Sequence, residues 1–234
     1  MINKDTQIFG SFSNEPSNRG CEIFNTSFQY HGINAIYKSF KVDSIEDAVR
    51  SARSLRFSGF AVSMPFKKDV LKYVDEITDK ALYCCSANTV VRKNDLLVAY
   101  NTDYEAAHQF LTLKKVLLST QEKTPIDFCL NDGRKFYVIG GGGYANSVMK
   151  ALNDLKICYS QIERKNWQEI YEIEESIVYN CTPVQDMHLV LSSKKNALID
   201  CITSTPTGRM LGLMQAAAQY KIYTDKDLPI KDDA

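Results

Sequence analysis

Lys135-Phe136-Tyr137-Val138-Ile139-Gly140-Gly141-Gly142-Gly143-Tyr144-Ala145 carries an apolar run straight into four glycines. The run has the β-rich composition of a strand, and residues 145–155 continue with helical spacing. Strand, glycine turn and helix in that order are the context a dinucleotide fingerprint demands, and Gly140-x-Gly142-x-x-Ala145 fits G-x-G-x-x-A. The first glycine permits the tight turn, and the second lets a pyrophosphate approach the backbone. The helix N-terminus at Gly143, Tyr144 and Ala145 then meets the phosphate with its N–H groups and a favourable dipole. A glycine turn without a ligand has the same composition, so the weight rests on the flanking strand and helix.

Downstream, residues 157–162 read as the next strand and end in Glu163-Arg164-Lys165. An acid at that position holds the ribose 2′-hydroxyl of NAD, whereas an arginine accommodates the 2′-phosphate of NADP. Both signals are present. Arg164 and Lys165, two adjacent cations, favour the phosphate and Glu163 opposes it. NADP is the expected cofactor, with NAD as the alternative and a solvated charged loop as the competing account. Residues 173–179 include another strand, ending in Asn180-Cys181-Thr182-Pro183, and 197–202 and 209–223 read as a further strand and a last helix.

Upstream, strands at 8–12, 33–40 and 60–64 alternate with helices at 23–31 and from Ser44 to about Arg56, which implies a parallel α/β unit. Ser44 is a natural N-cap, with Glu46 and Asp47 at the positive end of its helix. Within 59–103, three apolar runs each deliver polar groups at an end: Ser63-Met64-Pro65-Phe66-Lys67, Ser86-Ala87-Asn88-Thr89 and Asn101-Thr102-Asp103. Ligands of open α/β sheets sit beyond the carboxyl ends of strands, so a site for a small polyol or keto acid is expected there. Asn94-Asp95 reads as a hairpin turn. Pro65 is expected to open a helix with Val70, Leu71, Val74 and Ile77 on one face. A helix follows Asp103 through Leu113, and 114–134 reads as an irregular interdomain connection.

The 234 residues allow one large domain or two small ones. With 44% hydrophobic and 24% charged residues the composition is that of a soluble globular protein. The formal charge is zero, so no global field favours nucleic acid or an anionic membrane. No apolar run approaches the ~20 residues of a membrane span. The seven cysteines have neither metal-ligand nor disulfide spacing, so mostly buried, reduced thiols and a cytoplasmic location are expected.

Taken in order, the segments Ser63-x-Pro65-x-Lys67, Ala87-Asn88-Thr89-Val90-Val91, Asn101-Thr102-Asp103, the glycine turn, Asn180-x-Thr182-Pro183 and Met210-Leu211-x-x-Met214-Gln215 resemble the motifs of the shikimate dehydrogenase family. The form around Ser63 and Asp103 is closer to its shikimate-dehydrogenase-like branch. The resemblance implies an α/β fold with an N-terminal substrate domain, a Rossmann-type nucleotide domain and a cleft between them. It places the first at 1–103 with 208–234 and the second at 104–207. It also implies NADP-linked interconversion of shikimate and 3-dehydroshikimate. Lys67 and Asp103 would handle the proton, Ser63, Asn88 and Gln215 would meet the substrate, and Thr182 would lie by the cofactor. The expected partner is a small cyclic hydroxy acid, with neither nucleic acid nor membrane, bound by a monomer or homodimer.

Departures from the family pattern are equally concrete. The two serines that grip the substrate carboxylate align with Asn18 and Gly20, while Ser11 and Ser13 form an S-x-S in an earlier frame. A tyrosine expected soon after Asp200 is missing from Cys201-Ile202-Thr203-Ser204-Thr205-Pro206. The alternatives are a quinate/shikimate or other cyclic hydroxy-acid dehydrogenase using NAD, and a nucleotide-binding regulatory relative without turnover.

Overall fold

The computed structural model describes residues 2–117, 133–191 and 194–229. The chain divides into two compact units, Met1–Thr102 with Gln215–Ala234, and Asp103–Met214. It enters the second through helix α4 (Thr102–Leu117) and returns along helix α7 (Pro206–Thr224).

The first unit holds β1 (Gln7–Ser13), α1 (Arg19–Tyr30), β2 (Ala35–Lys41), α2 (Ile45–Ser54), β3 (Gly59–Val62), β4 (Glu76–Ile77), α3 (Asp79–Cys84), β5 (Thr89–Lys93) and β6 (Leu96–Tyr100). Its sheet has the order β2-β1-β3-β5-β6-β4. The strands β1, β2 and β3 are parallel, as their connecting helices require. The hairpin β5–β6 then joins β3 antiparallel. Its turn residues Asn94 and Asp95 have φ of 48° and 67°, the left-handed values a tight hairpin needs. Side chains alternate along β1, so Phe9 and Phe12 enter opposite cores. Phe12 packs with Val49, Phe57 and Phe60 under α2. Phe9 packs with Phe24, Phe28 and Tyr37 and with Tyr220 of α7. Each such buried ring contributes about 1.5–3 kcal/mol through burial. Ser44 caps α2 by accepting the Asp47 N–H at 3.2 Å.

The helix expected after Pro65 does not form. A short 3-10 turn spans Asp69–Lys72, and Ile77 lies in the edge strand β4. Pairing with β6 wins over helical spacing: Asp75 N–H donates to Leu97 O at 2.9 Å and Thr78 N–H to Ala99 O at 3.0 Å. The Asp75 carboxylate also accepts the Leu97 N–H and pairs with Arg53 at 2.8 Å. Arg53 and that N–H hold its carboxyl below the usual range.

The second unit contains β7 (Phe136–Ile139), α5 (Gly143–Asp154), β8 (Ser160–Ile162), β9 (Ile177–Asn180), α6 (Met187–Leu191) and β10 (Ala197–Asp200). Its four strands are all parallel, in the order β10-β9-β7-β8. The core joins Ile139, Ile162, Ile170 and Val178 to Met187 and Leu191 of α6. Trp167 packs against that core from a 3-10 segment, Arg164–Glu172, that has no counterpart in the sequence reading. Helix α4 runs past Leu113 to Leu117, so the connection expected at 114–134 begins later, and most of it lies outside the described residues.

All six described cysteines are free thiols, but of them Cys84 alone is buried, while Cys85 and Cys158 are exposed. The expectation of mostly buried thiols therefore fails: β-rich runs alternate faces, and loop positions such as Cys85 turn outward. No helix among the described residues is long and apolar enough to cross a membrane.

Candidate functional site

In the first unit, strand direction gathers the polar groups. Because β5 runs antiparallel to both β3 and β6, its amino end lies between the carboxyl ends of those two strands. Val62 N–H donates to Asn88 O at 2.8 Å, and Asn88 N–H donates to Tyr100 O at 3.2 Å. Ala87 N–H donates to Lys67 O at 2.8 Å, which anchors the Lys67 backbone one residue from Asn88. Ser63, at the end of β3, is tied to β1 through Phe12 O at 3.0 Å and exposes its side chain. Lys67 is half-buried and its neighbour Lys68 is exposed.

Asn88 is buried and organises this edge. Its Oδ1 accepts the Thr102 N–H at 2.8 Å, and its Nδ2 donates to Thr102 Oγ1 at 2.9 Å. Thr89 Oγ1 donates to the same Oδ1 at 3.2 Å. From α7, Gln215 Nε2 reaches Thr102 Oγ1 and Gln219 Nε2 reaches Thr89 Oγ1, each at 3.2 Å. The expected residues Asn88 and Gln215 thus meet through Thr102. Thr89, Thr102 and Gln219 belong to the same network and were not singled out from the sequence. The available signal was helical spacing, since Gln219 lies four residues beyond Gln215 on one face of α7. Asn88→Ala should destabilise the chain by about 2–3 kcal/mol, because it strands a buried N–H and buried hydroxyls. Urea unfolding with an unchanged slope checks this.

Asp103 follows Thr102 in the first turn of α4 and is buried. Asn18 precedes α1 with an exposed side chain that makes no capping bond. A Cβ on Gly20 would lie 2.8 Å from the Tyr37 ring, so a side chain at position 20 would require that ring to shift. Tyr37 is buried, and burial raises its hydroxyl well above the ordinary value against the opposing hydrogen bond of Ser11. Ser11 of the earlier S-x-S is therefore engaged with Tyr37, which fills the space next to position 20.

In the second unit the carboxyl end of β7 enters the glycine turn. Gly140 has φ +126°, a conformation L side chains rarely adopt, and a Cβ there would press on Cys181 O and Thr182 Cγ2, both at 3.3 Å. Gly142 precedes α5 with extended backbone, and a Cβ built on it meets nothing within 4 Å. The N–H groups of Gly143, Tyr144 and Ala145 open the helix beside that space. Ala145 is fully buried, so this position requires a small residue for helix–sheet packing. The half-buried Tyr144 contacts the buried Tyr179, hydroxyl to hydroxyl at 3.0 Å, and burial raises both well above the ordinary tyrosine value. Thr182 is held by Asn180 Oδ1, which accepts its N–H at 2.9 Å and its hydroxyl at 2.7 Å. Arg164 and Lys165 are exposed beyond β8. No cluster of metal-ligating side chains occurs among the described residues.

A polar strand edge in one unit and a glycine turn opening a helix in a Rossmann-type second unit define a two-unit α/β protein of the dehydrogenase type of fold. Residues 18–90 match the model of the shikimate dehydrogenase substrate binding domain. Over 154 residues the chain is 40% identical to a shikimate dehydrogenase-like protein of Haemophilus influenzae, covering 66% of this chain and 52% of the relative. It is 31% identical over 155 residues to a shikimate dehydrogenase (NADP(+)) of Pyrococcus furiosus, covering 65% of this chain and 52% of that protein. The chain thus spans about half the length of these curated relatives. A solved shikimate 5-dehydrogenase-like protein superposes with a TM-score of 0.77 at 28% identity, over 99% of this chain and 96% of that one.

Proposed function

We propose that this chain is an NADP-dependent oxidoreductase that interconverts shikimate and 3-dehydroshikimate by hydride transfer. The observation that carries the reading is the Asn88–Thr102–Gln215 network, whose Asn88, like Lys67, lies in the segment 18–90 that matches a shikimate dehydrogenase substrate-binding domain. The family of its relatives and the glycine turn support it.

A bound nicotinamide supplies the hydride acceptor or donor. The chain supplies proton handling and orientation. Hydride leaves a carbinol carbon only as the O–H proton departs, so a basic group is needed at that oxygen. The neutral Lys67 amine takes this proton in oxidation, and the ammonium returns it to the carbonyl oxygen in reduction. Asp103 is the second proton-handling residue of this reading. Asn88 and Gln215 meet substrate hydroxyls with the donor and acceptor capacity their bonds to Thr102, Thr89 and Gln219 leave over. Ser63 and Asn18 bound the substrate at the open side. Gly140, Gly142 and the N–H groups of 143–145 hold the pyrophosphate, with Thr182 beside them and Arg164 and Lys165 toward the 2′-phosphate. Incubation with shikimate and NADP+ should yield a product lighter by two hydrogens in mass spectrometry. Recovery of unchanged shikimate, with dinucleotide bound, would favour a regulatory relative instead.

A further inference from the structure

We propose that Gln219 is a positioning residue that fixes which end of the Gln215 amide meets a ligand. It leaves only the Gln215 oxygen available, so Gln215 accepts from a ligand hydroxyl and disfavours a group that cannot donate. The proposal rests on the reading of Gln215 as a substrate contact.

A side-chain amide has two hydrogens on its nitrogen and an accepting oxygen. Gln215 Nε2 donates to Thr102 Oγ1 at 3.2 Å and to Gln219 Oε1 at 3.1 Å, so both of its hydrogens are used and Oε1 remains. Gln219 is 2% exposed and is engaged at both ends. Its Oε1 accepts from Gln215, and its Nε2 donates to Thr89 Oγ1 at 3.2 Å and to the Tyr223 hydroxyl oxygen at 2.9 Å. Thr89 gives its own hydroxyl hydrogen to Asn88 Oδ1 at 3.2 Å, so it can only accept from position 219. The nitrogen of Gln219 must therefore face Thr89, and its oxygen must face Gln215. A reversed Gln215 amide would set oxygen against oxygen and leave buried groups unpaired.

Tyr223 secures the far end. Its ring centroid lies 4.7 Å from that of Phe9 and 5.8 Å from that of Phe24. A Cβ on Gly59 would stand 2.8 Å from Tyr223 Cε1, so the glycine that opens β3 leaves the ring its place. Burial raises the Tyr223 hydroxyl well above its ordinary value, and the bond from Gln219 opposes that shift, as a donated N–H does. Asn88 has the opposite polarity to Gln215. Its Oδ1 accepts from Thr102 N–H and from Thr89, while its Nδ2 gives one hydrogen to Thr102 Oγ1 and keeps the other. The network thus offers an acceptor at Gln215 and a donor at Asn88, which suits a ligand with two hydroxyls, one giving a hydrogen and one taking it.

Calorimetric titration of the full chain with shikimate and with its monodeoxyfluoro analogues tests this. Fluorine replaces a hydroxyl at similar size but cannot donate. In the parent chain, the analogue fluorinated where shikimate meets Gln215 should bind about tenfold more weakly than shikimate. Gln219→Met keeps the bulk and removes both ends of the amide, so Gln215 can turn an N–H toward the fluorine. The ratio should then fall to about threefold or less. Lost packing alone would weaken both ligands alike and leave the ratio unchanged. Should that variant fail to fold, Tyr223→Phe keeps the ring against Gly59, removes the hydroxyl that holds Gln219, and should lower the ratio to about threefold. A ratio within about twofold of the parent's in the variant that folds overturns the proposal, and so does a parent chain that binds every analogue as tightly as shikimate. If the parent chain binds no shikimate, the reading of the site fails and the proposal falls with it.

Discussion

Lys67→Ala should lower turnover by about 10²–10⁴-fold, the range that loss of a positioned proton-transfer group produces. NADP(H) affinity should stay the same, because the glycine turn lies in the other unit. The variant should also remain folded. Lys67 is only half-buried, and the contact that anchors it runs through its backbone carbonyl to the Ala87 N–H, which alanine keeps. Loss of rate with an unchanged KM for shikimate would assign Lys67 to the transition state rather than to ground-state binding. Lys68 is the internal control. It is adjacent and exposed, so Lys68→Ala should change the rate less than twofold. Equal effects at the two lysines would remove the specific role of Lys67.

Gly142→Asp should abolish dinucleotide binding, by about a hundredfold or more, without loss of stability. The two effects separate because of local geometry. Gly142 has extended backbone at the N-cap of α5, and an added Cβ meets nothing within 4 Å. Aspartate is a favourable N-cap and suits the positive helix end, so folding should gain a few tenths of a kcal/mol, or about 1 kcal/mol at most. The same carboxylate would occupy and repel the place where a pyrophosphate meets the helix. At Gly140 the two effects cannot be separated, because φ +126° and the close Cys181 carbonyl strain any side chain. Thermal unfolding and a nucleotide titration on the Gly142 variant check both halves. Undiminished binding would show that the turn is ligand-free.

Much of the architecture is legible wherever local chemistry has a single solution. Ser44, the Asn94-Asp95 turn and the glycine turn each appear as read, because capping, positive φ and close approach admit few residue types. The three polar strand ends between 59 and 103 converge because β5 and β6 reverse direction, which the hairpin signal already implied. Residues 65–77 were misread because helical spacing there competes with an unpaired strand edge. The backbone of Asp75–Thr78 satisfies its hydrogen bonds on β6 instead. In the site, the sequence shows which residues have useful chemistry but not which partners they meet. Thr102 and Gln219 look ordinary until Asn88 and α7 are brought to them. Gly20 is a missing serine in the family frame, and only the fold reveals Tyr37 against it. Glu163 likewise reads as one of three charges, until its contact with Gly141 and its pairing with Lys165 separate it from the other two.

The measurement that bears most directly on the whole account is absorbance in the reduced-nicotinamide band, with the full chain given shikimate or quinate against NADP+ or NAD+. The predicted result is a steady rise with shikimate and NADP+, a slower rise with NAD+, and loss of both in Lys67→Ala. A flat trace for every pair, from a chain that binds the dinucleotide, would contradict it.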